Sequence, residues 1–196
     1  MAAMYSSALT VPSWLVSMLS KTLFAVALSV PFVEFLSPDK AAERLDAATG
    51  TLDSVAVRQR FQSSFSGDIL LIFPENKSLD LVRSLLGSTV PLDSLTELEQ
   101  EALLEIGNII LNACLGSLAN QLGVSIESSL PAYVRGKGAR ILDAKHPGTE
   151  LVMFLQVDFS LTSKGVRGYL AFLMDIASAR QFSDAVGAYV ARIMVR

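Results

Sequence analysis

The longest regular pattern in the chain lies in residues 96–123, where apolar residues recur on nearly every side of a helical repeat. This pattern predicts one long helix that is buried on more than one side. Thr96 with Glu99 forms a capping box at its start, and Ser94 with Glu97 gives a second register. Gly123 is placed to end the helix. The apolar positions are Leu103, Leu104, Ile106, Ile109, Ile110, Leu111, Ala113, Cys114, Leu115 and Leu118.

The two halves of the chain follow a similar pattern. An offset of 100 residues aligns Pro31 with Pro131 and Leu15 with Leu115, and one residue of slip places 67–74 over 168–175. A repeat at a fixed offset predicts two copies of one structural unit. We expect a single domain with a first unit of about 1–87, a linker at 88–94 and a second unit of about 95–196.

The first unit is predicted to open with a helix in 1–20 and an extended segment in 24–35. A short helix at 38–45 precedes a strand within 52–65, a turn at Ser66 and Gly67, a buried strand at 68–73 and a helix at 77–86. In the strand at 52–65, alternation directs apolar residues inward and Arg58 and Arg60 outward. The inward residues are Val55, Val57 and Phe61.

The second unit repeats this plan. The long helix is followed by strand residues from Val124, a basic loop at 135–140, a turn at 144–148, a hairpin of 150–160 with 166–174, and a helix at 177–195. The fold class we expect is α+β, a pseudo-two-fold duplicated helix-strands-helix unit with long helices packed on a mainly antiparallel sheet.

Composition places the chain among compact globular proteins, since 51% of its 196 residues are hydrophobic and 18% are charged. A net charge of −3 gives no electrostatic basis for binding nucleic acid. The single cysteine, Cys114, lies in the apolar helix pattern and is expected to be a core residue in a reducing compartment, the cytoplasm. The apolar stretch 22–36 is too short to span a bilayer and contains Pro31 and Glu34, so we expect buried strands there and no membrane span.

Four polar residues interrupt the apolar helix, and we call them the polar seam: Glu101, Glu105, Asn108 and Asn112. At 3.6 residues per turn they fall within an arc of about 60 degrees. An unpaired polar group in a buried position costs about 1 to 3 kcal/mol, so the seam must face water or a partner. Composition alone favours the simpler interpretation, an ordinary solvent-exposed face of the helix.

The residues around the seam resemble the signature of the CheC/CheX/FliY family of response-regulator phosphatases. In that signature an Asp or Ser is followed after three residues by Glu, after two more by Asn and after twenty-two more by Pro. Glu105, Asn108 and Pro131 match the last three positions, whereas Glu101 stands where Asp or Ser is usual. The resemblance extends over GDILLIFPE at 67–75 and covers most of the chain.

The resemblance implies hydrolysis of the aspartyl phosphate on a phosphorylated CheY-like response regulator in chemotaxis or two-component signalling. Asn108 and Glu105 would be the catalytic residues, with Asn108 holding the attacking water and Glu105 engaging the lysine of the receiver. Glu101 and Asn112 would contact the partner, and Pro131 would fix the backbone. The protein needs no cofactor of its own, because the receiver supplies Mg²⁺.

The first unit lacks this site, since Tyr5 and Ala8 stand opposite Glu105 and Asn108 at the same offset. Loss of one site leaves open an alternative function, a non-catalytic CheC-like module that docks a receiver domain, a CheD-like deamidase or the flagellar switch. Family members with one site per chain can also form homodimers.

The basic residues of 135–140 and His146 are weaker indications of function. The basic residues of 135–140 can dock an acidic receiver pocket, but a charged Gly-rich loop is usually only solvated. His146 stands in a turn beside Pro147, where an exposed histidine is expected rather than a ligand or a base.

Overall fold

The alternating apolar residues of the central strands build one antiparallel sheet with helices on both faces. The computed structural model describes residues 27–50, 52–86, 97–143, 149–161 and 164–194. The elements in chain order are β1 (Ala27–Leu36), α1 (Pro38–Thr49), β2 (Ser54–Gln62), β3 (Ser66–Pro74), α2 (Glu75–Leu86), α3 (Glu97–Leu122), β4 (Glu127–Ser128), β5 (Ala132–Gly136), α4 (Gly138–Ile141), β6 (Leu151–Leu161), β7 (Lys164–Met174) and α5 (Ile176–Met194).

Within the described ranges the strand order is β1-β6-β7-β3-β2-β4, and β5 pairs with β2 beside β4. All of these pairings are antiparallel. In both halves a strand precedes a helix, a hairpin and a second helix, and β3 of one hairpin pairs with β7 of the other at the centre. The α+β fold class is therefore confirmed. The unit boundaries and the single-domain organisation stay predictions.

Both faces of the central strands are buried. The inward residues of β2 and β3 pack with α2, α3 and α5 in the larger core, and the alternate residues pack with α1 and α4 in a smaller one. Val55, Val57 and Phe61 point into the larger core as predicted, beside Leu103 and Leu111 of α3. Such double burial explains why the hairpin strands read as continuous apolar runs.

The long helix α3 has nearly the predicted bounds, and Gly123 ends it with φ 72°. By length and composition α3 could cross a membrane, but its apolar side packs against the sheet, including the buried Cys114. The prediction was wrong at Ile109, which is 59% exposed. The stripe left in solvent is therefore wider than the polar seam, and it also includes Gly116 and Asn120.

Arg58 was predicted to point to solvent, and this prediction was wrong. Its Nη2 atom lies 2.6 Å from Oδ2 of Asp68 and its Nη1 atom 3.5 Å from Oδ2 of Asp143. The physical reason is that α1 and α4 cover this second face of the sheet, so the guanidinium needs partners there. Arg60, which is the next residue on the same side of β2, is exposed as predicted.

The first hairpin turns at 63–65 rather than at Ser66 and Gly67, which begin β3. A Cβ atom on Gly67 would clash with the backbone carbonyl of Leu173, so this glycine permits close strand packing rather than a turn. Helices α1 and α2 exceed their predicted bounds by a few residues, whereas the hairpin of β6 and β7 and the final helix α5 lie close to theirs.

The predicted strand at Val124 and the basic loop were wrong. Residues 124–126 are irregular, β4 has only two residues, and 135–140 form the end of β5 and the short helix α4. Arg135 lies 3.0 Å from Oε1 of Glu75, and Lys137 Nζ donates to the carbonyl of Leu52 at 2.8 Å. Both cations therefore serve internal contacts. The predicted first helix, the linker, the capping residues Ser94 and Thr96, and His146 lie outside the described residues.

Candidate functional site

Helix α3 lies directly against strand β2 at Gly107. A Cβ atom at this position would be 2.5 Å from Cγ2 of Val57, so only glycine allows this approach. The next residue on the helix, Asn108, is thereby brought to Gln59, the next inward-facing residue of β2. The sequence signal for this contact is a glycine inside the long helix, but Gly116 gives the same signal and makes no such contact.

The polar seam occupies the solvent side of α3. Glu101, Glu105 and Asn112 are exposed, and Asn108 is half-buried. No residue in the described part of the chain forms a hydrogen bond or ion pair with the carboxylate of Glu101 or Glu105. Both carboxylates are therefore available to a partner.

The two asparagines are joined to each other and to the sheet. Nδ2 of Asn112 donates to Oδ1 of Asn108 at 2.8 Å. Nε2 of Gln59 donates to the same oxygen at 3.1 Å and lies 3.5 Å from Oδ1 of Asn112. The amide of Asn108 is thus held from two directions, whereas the side chain of Glu105 is not.

The loop between β4 and β5 closes one side of the site. Nε2 of Gln59 donates to the backbone carbonyl of Ser129 at 3.0 Å, and the Ser128 hydroxyl donates to Oδ1 of Asn112 at 3.0 Å. The backbone N–H of Arg60 donates to the Ser129 hydroxyl at 3.0 Å. Pro131 follows this loop, half-buried, immediately before β5. The spacing from Asn108 to Pro131 therefore brings this loop onto the seam.

Two exposed apolar side chains border the polar groups. Ile109 follows Asn108 on the helix and is 59% exposed, and Leu130 follows Ser129 in the loop and is 89% exposed. The site is an open helix face with amides, carboxylates and hydroxyls.

The sequence did not predict the roles of Gln59, Ser128 and Ser129. The signal for Gln59 was present, because it alternates with Val57 and Phe61 at a position that must face the core. Within the described ranges no three His, Cys, Asp or Glu side chains are grouped as a metal site. Glu105 and Asn108 stay the predicted catalytic residues, and the structure adds Gln59 of the strand as a neighbour of Asn108.

Several solved structures have a similar fold, and three of them illustrate the range. FliY of Thermotoga maritima has a TM-score of 0.65 and 16% identity, over 89% of this chain and 89% of that chain. The FliM middle domain from Vibrio alginolyticus has a TM-score of 0.58 and 14% identity, over 88% and 90%. The chemotaxis protein CheX from Desulfovibrio desulfuricans has a TM-score of 0.51 and 13% identity, over 83% and 95%.

At these identities the likeness shows the fold alone. The chain has the fold that its resemblance to the CheC/CheX/FliY family implies. No protein-family model matches the sequence, and no curated protein sequence is significantly similar to it.

Proposed function

We propose that this protein is a phosphatase that removes the phosphoryl group from the phosphorylated aspartate of a CheY-like response regulator in the cytoplasm. The observation that carries the proposal is the pairing of an exposed carboxylate, Glu105, with a fixed carboxamide, Asn108, one helical turn away on an open helix face. This pair and Pro131 are the residues that match the family signature.

The reaction asks little of the phosphatase. An acyl phosphate is already reactive, and the receiver carries its own Mg²⁺ and lysine, so the missing component is a water in line with the phosphorus. The water oxygen bonds to phosphorus, the bond to the aspartyl oxygen breaks with its electron pair remaining on the carboxylate, and a water proton passes to a phosphoryl oxygen. The amide of Asn108 orients the water without adding charge.

Glu105 is placed to anchor the receiver. Its carboxylate extends from the rigid helix α3 into solvent, where it can pair with the receiver lysine. Glu101 lies one turn before it on the same exposed stripe and adds a second acceptor. Ile109 and Leu130 supply apolar contact around these charges. Asn112 is already bonded within the seam, which favours support of Asn108 over contact with the partner.

The test is the loss of phosphate from a phosphorylated CheY-like receiver with Mg²⁺ present. We expect the wild-type protein to accelerate the loss, and Asn108→Ala to lower the rate about 100-fold, because loss of one preorganised hydrogen bond at the reacting centre has effects of this size. The proposal fails if several cognate receivers lose phosphate no faster with the wild-type protein than without it.

The second candidate is a binding module that docks a receiver or the flagellar switch without turnover. It is supported by Glu101 in place of Asp or Ser and by the exposed Ile109, which suit binding as well as catalysis. The same assay separates the two functions, because a pure binding module would leave the decay unchanged while still forming a complex. A CheD-like partner and a homodimer stay predictions from the resemblance alone.

A further inference from the structure

Gln59 is a deeply buried polar side chain that touches the seam. It lies on β2 between two core residues, Val57 and Phe61, and is 1% exposed. Its Nε2 atom makes the contacts to Asn108 and Ser129, whereas its Oε1 atom is buried without a hydrogen-bond partner among the described residues. A buried polar atom without a partner destabilises a folded chain, so core packing alone does not account for glutamine here.

The direction of each hydrogen bond in the network is fixed by a backbone group. The carbonyl of Ser129 can only accept, so Gln59 must turn its NH₂ group towards the loop and Asn108. Asn108 must then turn its oxygen inward, where it accepts from Gln59 at 3.1 Å and from Asn112 at 2.8 Å. Asn112 must therefore turn its NH₂ group to Asn108, and its oxygen accepts from the Ser128 hydroxyl at 3.0 Å.

These contacts leave one part of Asn108 for a partner. A carbonyl oxygen has two lone pairs, and two N–H donors occupy those of Asn108 Oδ1. The NH₂ group of Asn108 has no hydrogen-bond partner among the described residues. A ligand at the seam therefore meets an amide donor rather than an amide acceptor.

We infer that Gln59 is a positioning residue that holds the amide of Asn108 with its NH₂ group outward, where it donates to the oxygen of the attacking water. This inference rests on the proposed phosphatase function. It places the acceptors for the water protons on the phosphorylated receiver, since Asn108 has no free acceptor. Gln59 acts only through Asn108 and touches neither the water nor the receiver.

The decisive variant is Gln59→Met, which keeps the length of the side chain and removes both the donor and the unpartnered oxygen. We expect kcat for receiver dephosphorylation to fall roughly 10- to 100-fold with KM unchanged within about twofold, because misplacement of a reacting group lowers turnover on this scale. The Tm should change little, because the loss of the buried unpaired Oε1 atom offsets the loss of the two hydrogen bonds from Nε2.

The matched control is Gln62→Met, on the same strand but exposed and outside the network. It should change neither kcat nor Tm. A merely structural role for Gln59 predicts the opposite result for Gln59→Met, a lower Tm with kcat of the folded protein unchanged, and that result would overturn the inference. Asn112→Ala removes the second donor from the surface without altering the core, so it tests the network even if Gln59→Met does not fold, and we expect kcat to fall about tenfold.

A measurement on the free protein separates this inference from the proposed function. The NMR signal of the Asn108 side-chain NH₂ group, identified by its loss in Asn108→Ala, should show restricted motion in the wild type and in Gln62→Met, and increased motion in Gln59→Met. Equal mobility in the wild type and Gln59→Met would disprove the positioning role. Restricted motion that depends on Gln59, together with no receiver dephosphorylation, would uphold the orientation of Asn108 and reject the phosphatase.

Discussion

At the scale of single residues, Glu105 and Asn108 differ in what surrounds them. Asn108 is half-buried and hydrogen-bonded on its oxygen side, whereas Glu105 is exposed and makes no hydrogen bond or ion pair within the described ranges. A fixed group suits the reacting centre, because catalysis requires positions held to about half an ångström. An exposed charge suits the attraction and anchoring of a partner.

This division predicts that Glu105→Gln changes binding more than turnover. The variant keeps the shape of the side chain and loses its charge, so we expect KM for the phosphorylated receiver to rise about fivefold, which corresponds to an exposed ion pair of about 1 kcal/mol. Steady-state kinetics at two salt concentrations measures this change in KM. The KM of the wild type should rise more with salt than the KM of the variant, because salt screens the ion pair.

Glu43→Gln provides the control, since Glu43 is exposed on α1 at the opposite face of the sheet. It should leave KM unchanged. A fall in kcat for Glu105→Gln with KM unchanged would assign Glu105 to the chemical step instead of to anchoring.

At the scale of elements, the packing of α3 on β2 determines where the seam lies. A Cβ atom added at Gly107 would clash with the side chain of Val57. A Cβ atom added at Gly116, on the same helix, would have no other atom within 4 Å. Gly107→Ala must therefore displace the helix from the strand, and we expect it to lower the free energy of unfolding by about 1 to 3 kcal/mol. Urea denaturation measures the change.

Gly116→Ala is the matched substitution. Alanine is favoured over glycine in a helix by about 1 kcal/mol, so this variant should be more stable than the wild type. Equal stability of the two variants would contradict the close packing at Gly107. Because Asn108 follows Gly107, receiver dephosphorylation should also fall in Gly107→Ala and stay unchanged in Gly116→Ala.

Among the elements of the fold, those with a strong hydrophobic period were predictable from the sequence. Helix α3, the hairpin of β6 and β7 and the inward residues of β2 follow from strong local periodicity. Arg58 was misplaced because alternation within one strand does not reveal that helices cover both faces of the sheet. The short elements β4 and α4 have too few residues to show a period.

The candidate site was predictable only where a motif marks it. Glu105 and Asn108 follow from the signature and from their spacing on one helix. Gln59 could not be assigned, because its contact with Asn108 spans 49 residues of sequence and depends on the approach at Gly107. A polar residue at an inward strand position was the available signal, but the sequence does not name its partner.

At the scale of the whole molecule, the larger core joins α3 to the hairpin strands of both halves, and Cys114 lies within it. Burial raises the pKa of the Cys114 thiol to about 12 from an ordinary value of 9.0. The unfolded chain therefore loses this proton at lower pH than the folded protein. Stability from this group is complete below about pH 9 and is lost as the pH rises towards 12.

Between pH 9 and 11 this group should lower the free energy of unfolding by about 2 kcal/mol, since each unit of pKa difference corresponds to about 1.4 kcal/mol. Urea denaturation at several pH values measures the slope, and Cys114→Ala serves as the reference because it removes this thiol alone. Identical alkaline slopes in the two proteins would show that Cys114 is not buried as described.

The central claim is that the seam of α3 hydrolyses a receiver phosphate, and one comparison tests it most directly. The decay rate of a phosphorylated CheY-like receiver is measured with the wild type, Asn108→Ala and Asn120→Ala, which removes an exposed asparagine of the same helix outside the seam. We predict accelerated decay with the wild type and Asn120→Ala, and an acceleration about 100-fold lower with Asn108→Ala. Equal acceleration by all three proteins, or by none, would contradict the account.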